Sequence, residues 1–370
     1  MKALCNREGL LAAFGMVTSV VPARSPKPIL QNVKLVSSVE GSTLLATDLE
    51  VGIRYRVLGV KVDRPGAGIL PTQQFGQILR TLDDEELALE VDDEHLHVRG
   101  LHAHFKLLGA APDLFPEVPD FGAEGYLVVT AADLRRAIRR TVFATDIEST
   151  RYALGGVLFE PGEEGMTLVA TDGRRLACQR VACEREGNQS AEGQPVVPVK
   201  ALKLLERNLQ DEDPPVHIAF QGNTAVLVRT ERAVIYSRLV EGRFPRYRDV
   251  FPASVEVRIP LEVGLFASVV EQASIVTSDE SRGVDFTFSE GVLKLASQAP
   301  DQGSSDIELP LSYDGKAVEI TFDPRYLSDA LRTLAPEAKL TAELIDGKNA
   351  AVFRSEDDYT YVVMPLTRDR

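Results

Sequence analysis

Hydrophobic positions along this chain change period in a recurring order. A helical stretch comes first, then two alternating strands, then a strand that leads into a second helix. The first helix starts at Asn6-Arg7-Glu8-Gly9-Leu10-Leu11, again at Thr130-Ala131-Ala132-Asp133-Leu134-Arg135, and again at Pro260-Leu261-Glu262-Val263-Gly264-Leu265. In the middle copy Leu134, Ala137, Ile138 and Val142 keep helical spacing. Thr130 with Asp133 resembles a capping box with Asp in place of Glu. The alternating strands are Val33–Val36 with Thr43–Asp48, Gly156–Phe159 with Met166–Asp172, and Gly283–Phe288 with Val292–Gln298. Each pair flanks a Gly turn, the signature of a hairpin. The second helix follows Ile69-Leu70-Pro71, Val197-Pro198 and Phe322-Asp323-Pro324; proline suits a first helical turn, where its missing N–H costs nothing.

Equivalent positions Asp48, Asp172 and Gln298 are 124 and 126 residues apart. A period of that length is the size of a whole domain and too long for a solenoid unit. The pattern therefore predicts three copies of one α+β domain, at 1–120, 126–250 and 255–370, with Pro-rich joins at Pro112–Pro119 and Pro245–Pro252. Antiparallel sheet with helices on one face is the architecture expected of each. Three in a row form an arc whose end domains carry unpaired edges, and two arcs joined head to tail close a ring. The N-terminal apolar stretch Leu10–Val17 imitates a signal peptide, but it is the helix of the first repeat.

Charge narrows the function. Lys plus Arg number 41 and Asp plus Glu 55, a net charge of -14, which excludes a protein that coats nucleic acid by bulk positive charge. Three scattered cysteines give no disulfide framework and point to a reducing cytoplasm. No apolar run approaches the length of a membrane span. A P-loop, a nucleophile elbow and a Rossmann glycine run are all missing. Asp48 and Asp172 read as hairpin-end residues bonded to local backbone, and no cofactor is implied. Four of the five histidines fall between His95 and His104. A two-residue turn at Arg99-Gly100 would pair His97 with His102 and His95 with His104. This face reads as solvated hairpin; a zinc or copper site is the alternative, and with it a metal-dependent hydrolase.

Several stretches resemble the β subunit of bacterial DNA polymerase III, the sliding-clamp family: Ala170-Thr171-Asp172-Gly173-Arg174-Arg175-Leu176-Ala177, Leu239–Tyr247 and Tyr361-Val362-Val363-Met364-Pro365-Leu366, supported by Arg24–Leu30 and Thr47-Asp48-Leu49-Glu50. The resemblance covers essentially the whole length, in family order. It implies a non-catalytic homodimeric ring with sheets outside and two helices per domain inside. Such a ring encircles duplex DNA without sequence preference, is loaded by a clamp-loader ATPase, and tethers the polymerase III catalytic subunit and other clamp-motif proteins. A scaffold that binds peptides but not DNA is the competing reading.

The resemblance also implies site residues. DNA contacts fall at Arg24, Gln73, Arg80, Arg135, Arg136, Arg139, Tyr152, Lys200, Lys203 and Arg207, with Arg140 on the middle repeat's first helix and Arg325 and Arg332 on the third repeat's second helix. Alone, these charges describe a solvated helix face; in triplicate they suit phosphate contacts without base readout. A partner-peptide pocket comprises Leu154, Thr171, Gly173, Arg174, Arg175, Leu176, Pro245, Val250, Tyr326, Val362, Val363, Met364, Pro365 and Leu366. The dimer interface takes Phe105 and Leu107 against Ile275 and Val276; the competing reading of Ile275-Val276 is helix core. Gln73, Glu148, Ala153, Asp249 and Ser281 depart from the family's usual residues, and residues 367–370 extend past its usual end.

Overall fold

The three repeats follow one itinerary, with one strand fewer before the second helix of repeat three, in the computed structural model, which describes every residue except 93–94, 150–151, 164, 189–192, 279–280 and 367–370. The C-terminal extension at 367–370 thus lies outside the described residues. Repeat one runs β1 (Lys2–Asn6), α1 (Arg7–Thr18), β2 (Asn32–Ser38), β3 (Gly41–Thr47), β4 (Val51–Val57), β5 (Val60–Arg64), β6 (Gly66–Pro71), α2 (Thr72–Thr81), β7 (Glu86–Val91), β8 (His95–Arg99) and β9 (His104–Leu108). Repeat two runs β10 (Tyr126–Val129), α3 (Ala131–Thr141), β11 (Gly156–Gly162), β12 (Gly165–Thr171), β13 (Arg175–Val181), β14 (Glu184–Glu186), β15 (Val196–Pro198), α4 (Val199–Asn208), β16 (Val216–Gln221), β17 (Ala225–Arg229) and β18 (Ala233–Arg238). Repeat three runs β19 (Val257–Glu262), α5 (Val263–Ser274), β20 (Val284–Ser289), β21 (Val292–Ala299), β22 (Gly303–Pro310), β23 (Val318–Phe322), α6 (Pro324–Leu331), β24 (Lys339–Leu344), β25 (Ala351–Ser355) and β26 (Tyr359–Val363).

Local chemistry sets the helix starts. Asn6 caps α1 by accepting the Gly9 N–H at 2.8 Å. Thr130 accepts the Asp133 N–H at 3.1 Å and donates its hydroxyl to the Asp133 carboxylate at 2.7 Å. Asp323 caps α6 through the Arg325 N–H at 3.0 Å.

The chain packs as two units. The first comprises Met1–Arg135, Cys183–Gly193 and Lys200–Leu239. It holds a five-stranded sheet in the order β5-β1-β7-β8-β9 and a nine-stranded sheet, β14-β10-β16-β17-β18-β4-β3-β2-β6. Its helix α1 buries Leu10, Ala13, Phe14 and Val17, and Phe14 meets Phe75 of α2 edge-on with ring centroids 5.1 Å apart. The second comprises Arg136–Ala182, Gln194–Val199 and Val240–Arg370. It holds an eight-stranded sheet, β15-β11-β12-β13-β26-β25-β24-β19, and a four-stranded sheet, β22-β21-β20-β23. There Phe266 of α5 sits 6.3 Å from Phe286 and 6.1 Å from Phe353.

The large sheet of each unit is shared between repeats. The last strand of repeat two, β18, pairs antiparallel with β4 of repeat one, with Tyr236 opposite Gly52. The last strand of repeat three, β26, pairs the same way with β13 of repeat two, with Val362 opposite Leu176. The equivalents left over, β9 and β22, are each the outermost strand of their sheet. On β9, Phe105 and Leu107 are half-buried opposite Val98 and Leu96, while His104, Lys106 and Leu108 are exposed. On β22, Asp306 and Glu308 are exposed. Ile275, just past α5, is 72% exposed and Val276 is half-buried, so neither is helix core.

The histidine hairpin departs from the expected register. Its loop is four residues, Gly100–Ala103, closed by the Gly100 N–H on the Ala103 carbonyl at 2.9 Å. His95 therefore lies opposite Leu108, His97 opposite Lys106, and Arg99 opposite His104. The physical reason is Asp84, whose carboxylate accepts the Leu101 N–H at 2.5 Å and holds the wider turn. Among the described residues, no helix is long and apolar enough to cross a membrane.

Candidate functional site

The second unit contains an apolar cavity of about 160 Å³. Its floor is the β13–β26 pair: Leu176 and Val362 lie side by side, both buried, in one cluster with Leu158, Val169, Phe244 and Tyr247. Leu154, Pro245 and Val250 add apolar wall, and Met364, 41% exposed, forms part of the mouth. A narrow apolar slot with a flexible thioether at its mouth accepts varied apolar side chains.

A tight turn supplies the polar rim. Asp172 accepts the N–H groups of Arg174 and Arg175 at 2.9 and 3.0 Å, and Thr171 donates its hydroxyl to the Arg175 carbonyl at 2.6 Å. Gly173 has φ +87°, a conformation that favours glycine. The rim is fixed by Arg175. Its guanidinium donates to Asp172 at 2.9 Å, Asp329 at 2.7 Å and the Phe143 carbonyl at 2.9 Å, and lies over the rings of Phe143 and Tyr326. Burial opposes its charge, but the Asp329 hydrogen bond and nearby negative charge outweigh this and raise its pKa.

Tyr247 and Arg246 also line the cavity, and sequence reasoning missed both. Tyr247 donates its hydroxyl to Glu160 at 2.6 Å, and Arg248 donates to the same carboxylate at 3.0 Å. Burial and then the Glu160 contact push the Tyr247 pKa up. Both residues sit at the end of the Leu239–Tyr247 stretch, the one signal that was available. Tyr152, expected on DNA, also lines this cavity.

Four expected pocket residues are not in the lining. Val363 is fully buried; Tyr326 lies beneath the Arg175 guanidinium, and its hydroxyl accepts from Arg174 at 3.5 Å. Pro365 and Leu366 run past the mouth, with the Leu366 N–H on the Thr321 carbonyl at 2.8 Å. Behind the floor, the nearly buried Arg140 donates to Gln179 at 2.9 Å and Asp357 at 2.6 Å, and lies over Tyr359. Gln179 in turn donates to the Asp357 carbonyl at 2.8 Å. Arg140 thus ties α3 to the β25–β26 turn and is not on an exposed basic face. Its place between Ile138 and Thr141 on the buried side of α3 explains why.

The remaining basic residues divide by environment. Arg24, Arg80, Arg136, Arg139, Lys203, Arg207 and Arg332 are exposed, as is Gln73. Lys203 and Arg207 lie four apart on α4 and share a face. Lys200 is ion-paired with Asp48, Arg135 with Asp211 at 2.9 Å, and Arg325 with its own helix cap Asp323 at 2.8 Å. Asp48 also accepts the N–H groups of Glu50 and Val51 at 3.0 and 2.7 Å, as a hairpin-end aspartate does. Burial pushes the Cys5 and Cys178 thiols up to about 12, far from thiolate chemistry.

Comparison with known proteins gives one family throughout. Models of the N-terminal, central and C-terminal domains of the DNA polymerase III beta subunit match residues 1–119, 128–246 and 248–367. The chain is 31% identical to the beta sliding clamp of Escherichia coli strain K12 over 370 residues, 99% of this chain and 100% of that one. It is 30% identical to the beta sliding clamp of Pseudomonas putida KT2440 over 364 residues, 98% of each. Among solved structures, the sliding clamp of Pseudomonas aeruginosa bound to griselimycin is 30% identical and superposes over the full length of both chains with a TM-score of 0.92. The Bacillus subtilis clamp, 23% identical, shares the fold with a TM-score of 0.93 over 100% of this chain and 99% of that one.

Proposed function

The chain belongs to the DNA polymerase III beta-subunit family, the sliding clamps, and on that premise we propose how its residues do a clamp's work. Domains at 1–120, 126–250 and 255–370 form a half ring, and two copies close head to tail around duplex DNA. The observation that carries this is the repeated seam. Twice within the chain a repeat's last strand pairs with the strand after the preceding repeat's hairpin. One strand of each kind, β9 and β22, is left at a sheet edge. A second copy supplies the third pairing. Phe105 and Leu107 then meet Ile275 and Val276, and exposed Lys106 and His104 face a strand carrying Asp306 and Glu308.

Inside the ring, Arg24, Gln73, Arg80, Arg136, Arg139, Lys203 and Arg207 touch phosphates weakly and without reading sequence. Arg135 and Lys200, each neutralised by a carboxylate, contribute less; the acidic exterior repels DNA that is not threaded. The β13–β26 cavity takes short segments with a glutamine and apolar or aromatic anchors. Their sources are the polymerase III catalytic subunit, the clamp-loader ATPase and other clamp-motif proteins. The work is tethering, without catalysis, and its place is the cytoplasm.

The test is retention on DNA. The protein is loaded onto nicked circular DNA by an active clamp loader, washed at about 0.5–1 M salt, where electrostatic contacts fail, and the circle is then cut. A ring survives the wash and leaves after linearisation. Loss in the wash alone, or failure to load, would reduce the protein to a peptide-binding scaffold.

A further inference from the structure

The histidine face of β8 and β9 carries more than the His104 contact proposed for the seam. His97 Nδ1 and His104 Nε2 lie 3.2 Å apart, on neighbouring strands at a diagonal position. Two nitrogens bound to one tetrahedral ion at 2.0–2.1 Å are separated by roughly 3.3 Å. The other nitrogen of His97, Nε2, is 3.0 Å from Asp92 Oδ2. That carboxylate is itself held in place, since Asp92 Oδ1 accepts the His95 N–H at 2.7 Å. A carboxylate on the far nitrogen fixes the tautomer of a metal-binding histidine and raises its basicity. Here it keeps the proton on Nε2 and leaves the Nδ1 lone pair facing His104.

We propose that His97 and His104 form a two-imidazole site for a late first-row divalent ion such as Cu²⁺, Ni²⁺ or Zn²⁺, with Asp92 as the orienting carboxylate. Among the described residues no group of three or more metal-ligating side chains converges, so water completes the coordination. In the metal-free protein a single proton bridges the two nitrogens. The ion takes the place of that proton, which moves to Nδ1 of His104 as that ring changes tautomer, so both imidazoles bind the ion in their neutral form. Imidazole pairs without thiolate suit this part of the series, and copper binds most tightly of the three. Lys106, directly opposite His97, adds a like charge that keeps the site modest in affinity. His102 sits in the loop, outside the strand register that builds the site. The inference does not depend on the ring.

The test uses untagged full-length protein cleared with a chelator and titrated with Cu²⁺ by calorimetry. One ion per chain is expected. His97→Ala and His104→Ala each abolish that binding or weaken it at least tenfold. Asp92→Asn weakens it by about 10–100-fold, the usual effect of losing an orienting partner. His102→Ala leaves it unchanged. Circular dichroism confirms that each variant is folded. No binding at about 100 µM Cu²⁺, a stoichiometry untouched by His104→Ala, or equal losses from His102→Ala would overturn the site.

Discussion

Replacing Arg140 by Met asks whether the seam beneath the cavity is held by an ion pair or by its strand ladder alone. The substitution keeps an apolar stem beside Tyr359 and removes the guanidinium. Two contributions are lost. Gln179 Oε1 is left as a buried acceptor without this donor, which costs about 1–3 kcal/mol. Asp357 loses its cation, but its side chain is 46% exposed. Water therefore screens the pair, and about 1–2 kcal/mol is expected, between the ranges for surface and buried pairs. The sum, roughly 2–5 kcal/mol, is read from urea unfolding at pH 7. Asp357→Asn removes the second contribution, and the double-mutant cycle cancels its effect on the Ser355 hydrogen bond and isolates the pair.

The pH dependence of that coupling has a definite sign. Burial opposes the charge on Asp357, but hydrogen bonds from Ser355 and Arg140 outweigh it and hold the carboxyl below its ordinary 3.8. A carboxyl whose folded pKa is depressed stabilises the fold above its unfolded value and loses that effect as pH falls through the folded value. The coupling energy should stay level from pH 7 to about 5 and shrink below about 4. A coupling under about 0.3 kcal/mol, or one that does not diminish on acidification, refutes the ion-pair reading.

Three further outcomes follow from the site and the edges. Met364→Ala should raise the Kd of an apolar-anchored, glutamine-containing peptide about tenfold, or 1.4 kcal/mol, in fluorescence anisotropy, while Leu366→Ala, outside the lining, changes it far less. Leu107→Asp places a charge on the apolar side of β9 and should weaken dimerisation at least a hundredfold, roughly 3 kcal/mol, in sedimentation velocity. Lys203→Ala should lower the salt slope of binding to open duplex by about one, whereas Lys200→Ala, already paired with Asp48, leaves it nearly unchanged.

Much of this was legible in the chain because it depends on local pattern. Period and turn chemistry identify three hairpins and six helices, and Asn6, Thr130 and Asp323 mark where helices start. Leu176 and Val362 announce themselves as floor because they sit in family stretches that are apolar and β-alternating. What escaped depends on partners remote in sequence. Lys200 reads as a free cation until Asp48, 152 positions away, is folded against it. Arg140 belongs to a run of four arginines, and only helical phase turns it inward. The histidine register hinges on Asp84, which captures the Leu101 N–H across 17 positions. The sharing of sheets between repeats is also invisible to periodicity, because a strand looks the same whichever repeat supplies its neighbour.

That sharing sets a timetable for synthesis. Gly52 waits for Tyr236 and Leu176 waits for Val362, pairings 184 and 186 positions apart. At ribosomal rates of about 5–20 residues per second, each waiting strand stands with one side unsatisfied for roughly 10–40 s. Bare strand edges recruit foreign strands, and charge is the usual guard. The waiting strands are so equipped, with Arg54 and Arg56 on β4 and Arg175 and Arg180 on β13. Of these, Arg56 and Arg180 are exposed, so their removal should lower the yield of soluble protein more than it lowers the stability of the molecules that mature.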